Sequence, residues 1–207
     1  MSLFSRLNRP PNLEAARRPD NLRFLMQLVL VLAVAAIACS SDSATNSSTS
    51  IIGDESSKVG YEAPNFSFSM YQGTEVVGGG NMDLHSLVGP KPIVLNFWAG
   101  LCPPCRAEMP DLHEFDEEYK DRILLLGIDV GQFFGLGSQD DAKELLEELG
   151  VTYPAGFTND SDVIKDYRVL GMPTTFFIDT DGAISNQWTG ALNRSVLVRE
   201  TKKMLAQ

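Results

Sequence analysis

Apolar residues in this chain fall into runs and rows that translate directly into elements. The first run, Phe24 to Ala38 (FLMQLVLVLAVAAIA), has Gln27 as its single polar residue. As a helix it would rise about 22 Å, short of the ~30 Å hydrocarbon thickness of a bilayer. It therefore reads as the apolar region of a secretion signal, residues 1–38, rather than as a permanent span. From residue 39 to 57 the chain is polar, Ser-rich and poor in large apolar side chains. Such a composition cannot bury enough surface to offset its ordering entropy, and it predicts a flexible linker.

Residues 58–207 carry the patterning of one α/β domain. Phe66–Met70 (FSFSM) alternates and is followed by TEVV (Thr74–Val77) and the glycines Gly78 to Gly80, together an N-terminal β-hairpin at the sheet edge. PIVLNFWA (Pro92–Ala99) and ILLLGIDV (Ile123–Val130) are nearly unbroken apolar runs, as strands buried on both faces require. Between them Met109, Leu112, Phe115 and Tyr119 recur at helical spacing, predicting a helix from Pro103 to about Tyr119. Pro103 and Pro104 suit its first turn, and Pro110 should kink it.

Ser138 to Gly150 is a second helix, with Ser138 as cap, Asp140 and Asp141 at its positive end and Gly150 closing it. Ser161 or Asp162 opens a shorter one that ends near Arg168. Thr174–Asp179 and Ala183–Gly190 form a hairpin around Thr-Asp-Gly, and Asn193 caps a final helix to Met204. Two parallel strands joined by a helix and extended by a hairpin predict a mixed central sheet flanked by helices on both faces.

Composition changes this picture little. With 207 residues and 43% hydrophobic content the chain holds one ordinary domain plus a targeting segment. Five arginines (Arg6, Arg9, Arg17, Arg18, Arg23) sit in the first 38 residues against Glu14 and Asp20. The remainder is thus more acidic than the whole chain's formal charge of −10. With no basic stripe on any expected element, nucleic acid is excluded as a partner. The acidic run Glu114, Asp116, Glu117 and Glu118 reads as the wet face of its helix, Trp188 as packing, and His85 and His113, without metal-ligand spacing, as surface residues.

The three cysteines carry the chemistry. Cys102 and Cys105 form a C-x-x-C with no second pair or histidine pair for zinc, and Arg106 stands where haem attachment needs histidine. A redox dithiol remains. At a helix N-terminus Cys102 meets unpaired amides and the positive dipole end, which favour a thiolate. Cys105, one turn below, suits the resolving role: it releases the mixed disulfide that Cys102 forms with a substrate. Pro103 and Pro104 between them remove two amide donors and so tune the potential. Neither metal nor organic cofactor is required.

Two resemblances extend the reading. Ala-Ile-Ala-Cys, ending at Cys39, resembles the bacterial lipobox, with Ala36 where that pattern prefers Leu. It implies a lipidated Cys39; an uncleaved signal anchor and plain cleavage are the alternatives, and each puts the domain outside the cytoplasm. NFWAGLCPPCRAEMP together with GMPTTFFID resembles the thioredoxin superfamily over roughly residues 60–205. The likeness is to its membrane-anchored TlpA- and ResA-like branch with an AhpC/TSA–redoxin type domain. The resemblance implies a thioredoxin-like fold. In it Met172-Pro173 is the cis-proline loop lying against the disulfide and pairing with substrate backbone. Pro110 is the helix-kink proline, Glu108 an acidic residue kept near the dithiol, and Phe97 and Trp98 the strand end beneath the site.

Two positions depart from the family. Leu101 stands where most relatives have Trp, and Asn96 where cytoplasmic thioredoxins keep a buried Asp. Proton handling then rests on Glu108, on a nearby Lys or Arg, or on water. Cys102, Cys105 and Glu108 are accordingly the expected catalytic residues, and Met172, Pro173, Trp98, Leu101, Pro103 and Pro104 the expected substrate contacts. Phe133 and Phe134 are candidates for a substrate lip.

The leading expectation is a reductant of disulfides in extracytoplasmic proteins, of the cytochrome c maturation or copper-site assembly type. The resemblance implies a membrane thiol carrier as electron donor. A disulfide oxidase or isomerase uses the same motif and differs only in potential. A copper-binding or chaperone module would employ both thiolates, with Met109 and Met172 lying in the two motifs quoted above. A thiol peroxidase would have Thr where this chain has Ala99.

Overall fold

The computed structural model describes residues 60–206. The signal segment, Cys39 and the Ser-rich linker lie outside the described residues. The elements in chain order are β1 (Ser67–Gln72), α1 (Thr74–Val77), β2 (Asn81–Asp83), β3 (Ile93–Trp98), α2 (Pro103–Tyr119), β4 (Leu124–Asp129) and α3 (Gln139–Leu149). They continue with β5 (Ala155–Phe157), α4 (Asp162–Asp166), β6 (Thr174–Ile178), β7 (Ile184–Thr189) and α5 (Arg194–Met204). All seven strands join one sheet in the order β2-β1-β5-β4-β3-β6-β7. β3, β4 and β5 run parallel; β6 and β7 on one side, and β1 and β2 on the other, are antiparallel additions. The mixed sheet covered on both faces is therefore present.

β3 lies near the middle because all six of its side chains are buried. Alternation divides them between two cores. Val94 and Trp98 pack with Met109, Leu112 and Phe115 of α2, Leu145 and Leu146 of α3, and Leu197 of α5. Ile93, Leu95 and Phe97 face the other way, toward Phe66, Leu84, Val163 and Tyr167. There Tyr167 stands edge-on to Phe97 and Phe176, with ring centroids 5.2 and 5.0 Å away. Its hydroxyl donates to Pro64 O at 2.6 Å and ties down the entering chain.

Three expectations need correction. TEVV is the helical turn α1 rather than a strand, because Gly73 (φ 77°) and Gly78 (φ 90°) on either side take left-handed conformations that close a turn. The hairpin partners are β1 and β2, and β1 is interior, since the unforeseen strand β5 pairs with its other edge. Pro110 lies inside α2, which runs from Pro103 to Tyr119. Asp116 is not on the wet face: only 6% of it is exposed, while Glu114, Glu117 and Glu118 are exposed.

Candidate active site

Strand β3 delivers the chain to the site through Ala99, Gly100 and Leu101. Gly100 is required there: a Cβ would stand 2.6 Å from Ala142 N, against the first turn of α3. Cys102 follows as the N-cap of α2 in an extended conformation (φ −104°, ψ 105°), with Pro103 and Pro104 in the first helical turn. Its Sγ accepts from Cys105 N at 3.2 Å. With two imino nitrogens behind it, this is the amide left to the sulfur, since Arg106 N donates to Cys102 O. Cys102 and Cys105 are joined as a disulfide with Cα atoms 5.3 Å apart. Cys102 is 3% exposed and Cys105 not at all, so Cys102 is the outer member of the pair.

Three chain segments frame that sulfur. Leu101, 59% exposed, donates its N–H to Leu136 O at 2.8 Å, which ties it to the loop after β4. On that loop Phe134 is exposed, whereas Phe133 packs partly into the second core. Met172 and Pro173 form a cis peptide bond, and Met172 packs against both cores, including the one that holds the disulfide. The loop is held by Thr174 Oγ1 donating to Gly171 O (2.7 Å) and Gly190 N donating to Pro173 O (2.9 Å). Pro103 and Pro104 are exposed beside Cys102, while Pro173 is buried. Trp98, expected among the substrate contacts, is fully buried. Its indole lies over Gly127 and cannot reach a substrate.

Beneath the disulfide, on the next turn of α2, Glu108 is only 1% exposed. Its Oε1 accepts from Asn96 Nδ2 and its Oε2 from Leu192 N, both at 2.8 Å. Burial raises its pKa to about 7, against the lowering effect of those two hydrogen bonds. Asn96 also donates to Thr175 Oγ1 at 3.0 Å. The basic residue nearest in sequence, Arg106, is paired with Glu148 at the surface and takes no part.

Sequence reasoning brought out Glu108 and Asn96, but not that they are bonded to each other, nor the parts of Leu192 N and of Thr175 behind Asn96. The signal for Asn96 is a lone polar residue in an otherwise apolar buried strand. Asp129 carries the same signal in ILLLGIDV; it is buried, accepts from Tyr71 Oη (3.0 Å) and Gly131 N (2.9 Å), and its pKa is raised by burial.

A disulfide at a helix N-terminus, with a cis-proline loop against it and a buried acid below, defines a dithiol–disulfide exchange centre on a thioredoxin-like fold. The chain belongs to the AhpC/TSA family, whose model matches residues 59–187. It is similar to the thiol-disulfide oxidoreductase ResA of Bacillus subtilis, 30% identical over 146 residues that cover 70% of this chain and 75% of that one. ResA of Oceanobacillus iheyensis is 33% identical over 135 residues, 65% and 67% of the two chains. Among solved structures, the exposed lipoprotein thioredoxin Etrx1 of Streptococcus pneumoniae matches with a TM-score of 0.57 and 25% identity, over 68% of this chain and 99% of that one. The protein is a thiol–disulfide oxidoreductase with a thioredoxin-like fold.

Proposed function

We propose that the protein is a reductant of disulfides in extracytoplasmic proteins, with Cys102 as the attacking thiol and Cys105 as the resolving one. The carrying observation is the placement of the disulfide at the start of α2, with Cys102 as the N-cap and Cys105 wholly buried one turn further on. In the reduced form the Cys102 thiolate attacks a substrate sulfur and displaces the other substrate sulfur as a thiol. Cys105 then attacks Cys102 Sγ, which frees the reduced substrate and leaves the Cys102–Cys105 disulfide. Two electrons and two protons pass to the substrate. Glu108, with a pKa near 7, is the group placed to hold a proton during the cycle.

Leu101, Pro103, Pro104 and Met172 offer an uncharged contact surface around the reactive sulfur, consistent with polypeptide substrates. The similarity to proteins named thiol-disulfide oxidoreductase ResA supports the exchange chemistry; substrates of the cytochrome c maturation or copper-site assembly type and a membrane thiol donor are the extension that the resemblance to the ResA-like branch implies. The similarity to a protein described as an exposed lipoprotein thioredoxin supports anchoring at the outer face of the cytoplasmic membrane through Cys39. Among the described residues no helix is long and apolar enough to cross a membrane.

Equilibration of the Cys102–Cys105 couple with glutathione tests the direction of electron flow. A potential near about −270 mV or lower is expected of a reductant, and one near about −120 mV would make the protein a disulfide donor instead. The mass of the membrane-extracted protein tests the anchor: a lipidated N-terminal Cys39 is expected, and retention of residues 1–38 would overturn it.

A further inference from the structure

On the α2 side of the sheet, Asn96 Oδ1, Trp98 Nε1 and the Tyr153 hydroxyl are wholly buried and have no protein hydrogen-bond partner. They are neighbours. A Cβ on Gly127 would stand 3.1 Å from both Trp98 Nε1 and Tyr153 Cε2, and Gly127 is the cross-strand partner of Asn96. Buried polar atoms of this kind take internal water, which needs two to four polar partners.

Helix α2 carries a buried acid at each end of this cluster. Glu108 and Asp116 both lie on its buried face, eight residues and so about 12 Å apart along the axis. Glu108 is sealed at the disulfide end by Cys105, Asn96 and Leu192. Asp116 instead lines a surface cavity of about 500 Å³, together with Lys91, Lys120, Thr152 and Pro154. Ile123 and Leu124 also line it, which puts the cavity at the N-terminal ends of the parallel strands, opposite the cysteines. The two residues that flank Tyr153 in sequence are thus in the cavity wall.

We propose that Tyr153 is a proton-relay residue, its hydroxyl and internal water connecting Glu108 to Asp116 and through it to solvent at the end of the molecule opposite Cys102. The relay deepens the dithiol reading and rests on it. While a polypeptide substrate covers the cysteine end, Glu108 can gain or lose its proton only through the interior. In each hop the tyrosine's hydroxyl proton passes through internal water to the Glu108 carboxylate while a proton from Asp116 arrives through a second water; Asp116 is then reprotonated from solvent, so one proton moves and no tyrosinate forms. Burial, then the charges of Glu108 and Asp116, push the ionisation of Tyr153 far upward, which favours this concerted hop over a stepwise one. Glu108 is bonded to Asn96 and Leu192 N, and its charge acts on Tyr153. Around Asp116 stand Glu117, Lys120, His113 and Lys91, and its pKa is raised by burial first and Glu117 second.

The test is hydrogen–deuterium exchange of the Glu108 carboxylic acid. Infrared spectroscopy follows it on the full chain below pH 7, with the band assigned by loss in Glu108→Gln. Tyr153→Phe, which removes only the hydroxyl, is expected to slow exchange at least tenfold. Asp116→Asn is expected to slow it similarly with Tyr153 in place, and it decides the matter alone if Tyr153→Phe fails to fold. Wild-type exchange rates in a folded Asp116→Asn variant would overturn the relay, as would the absence of a protonated Glu108 band in the wild type. The dithiol reading has a separate readout: it fails if the wild-type chain does not reduce protein disulfides, whatever the exchange rates.

Discussion

Glu108 is the residue whose environment most changes its chemistry. An acid whose folded pKa is raised to about 7 from an ordinary 4.5 binds more protons in the native state than in the unfolded state between those values. Stability is therefore fully present below about pH 4.5, is lost as pH rises toward 7, and is level above it. The loss is on the order of 3 kcal/mol. Urea unfolding of the oxidised protein at pH 5 and pH 8 measures it. In Glu108→Gln this contribution should vanish, because the amide side chain does not titrate. An unchanged pH slope in the variant would show that another group is responsible.

The cysteines make a second prediction of the same kind. Cys105→Ser should accumulate a mixed disulfide with substrate, detectable by mass. Cys102→Ser should lose turnover by about a thousandfold or more, since the remaining sulfur is fully buried. Which residues would matter was partly visible beforehand. C-x-x-C, Glu108 and Met172-Pro173 are readable because each stands in a motif. Trp98 was misplaced, because a motif shows that an aromatic is near the site and not which way its ring turns.

Helices announced themselves better than strands. α3 has Ser138 and Asp141 in a reciprocal capping box, Asp140 in its first turn and Gly150 (φ 62°) closing it, all set by local chemistry. Ser138→Ala should cost about 1 kcal/mol in a denaturant titration, with turnover preserved. A loss of activity without loss of stability would instead point to the loop that contacts Leu101. α5 is capped likewise by Asn193, which accepts from Val196 N at 3.0 Å. β5 was not legible: three residues, Ala-Gly-Phe, carry no periodicity, and the strand exists because β4 on one side and β1 on the other supply its hydrogen bonds. α1 was misread for the opposite reason, since TEVV has strand-like residues and only the flanking glycines tell otherwise.

Over the whole molecule the site is an assembly of distant segments. Cys102 and Glu108 come from α2, Asn96 from β3, Thr175 from β6, and Leu192 N from the turn before α5. The N-terminal hairpin joins the sheet through β5 alone, at a point where a Cβ on Gly156 would lie 2.3 Å from Ser69 O. Gly156→Ala should therefore cost about 3 kcal/mol and make residues 66–83 more sensitive to limited proteolysis, while the disulfide still cycles. Equal protease resistance would show that the hairpin is held by its aromatic contacts instead.

Periodicity, caps and two motifs were sufficient for the α/β architecture, the helix boundaries and the redox pair, because those depend on interactions within a few residues. The strand order, the burial of Trp98 and Asp116, and the Asn96–Glu108–Leu192 contacts depend on packing between segments up to 85 residues apart. No local rule reaches that far, so only the folded chain decided how the acid beneath the disulfide is surrounded and what its proton affinity becomes.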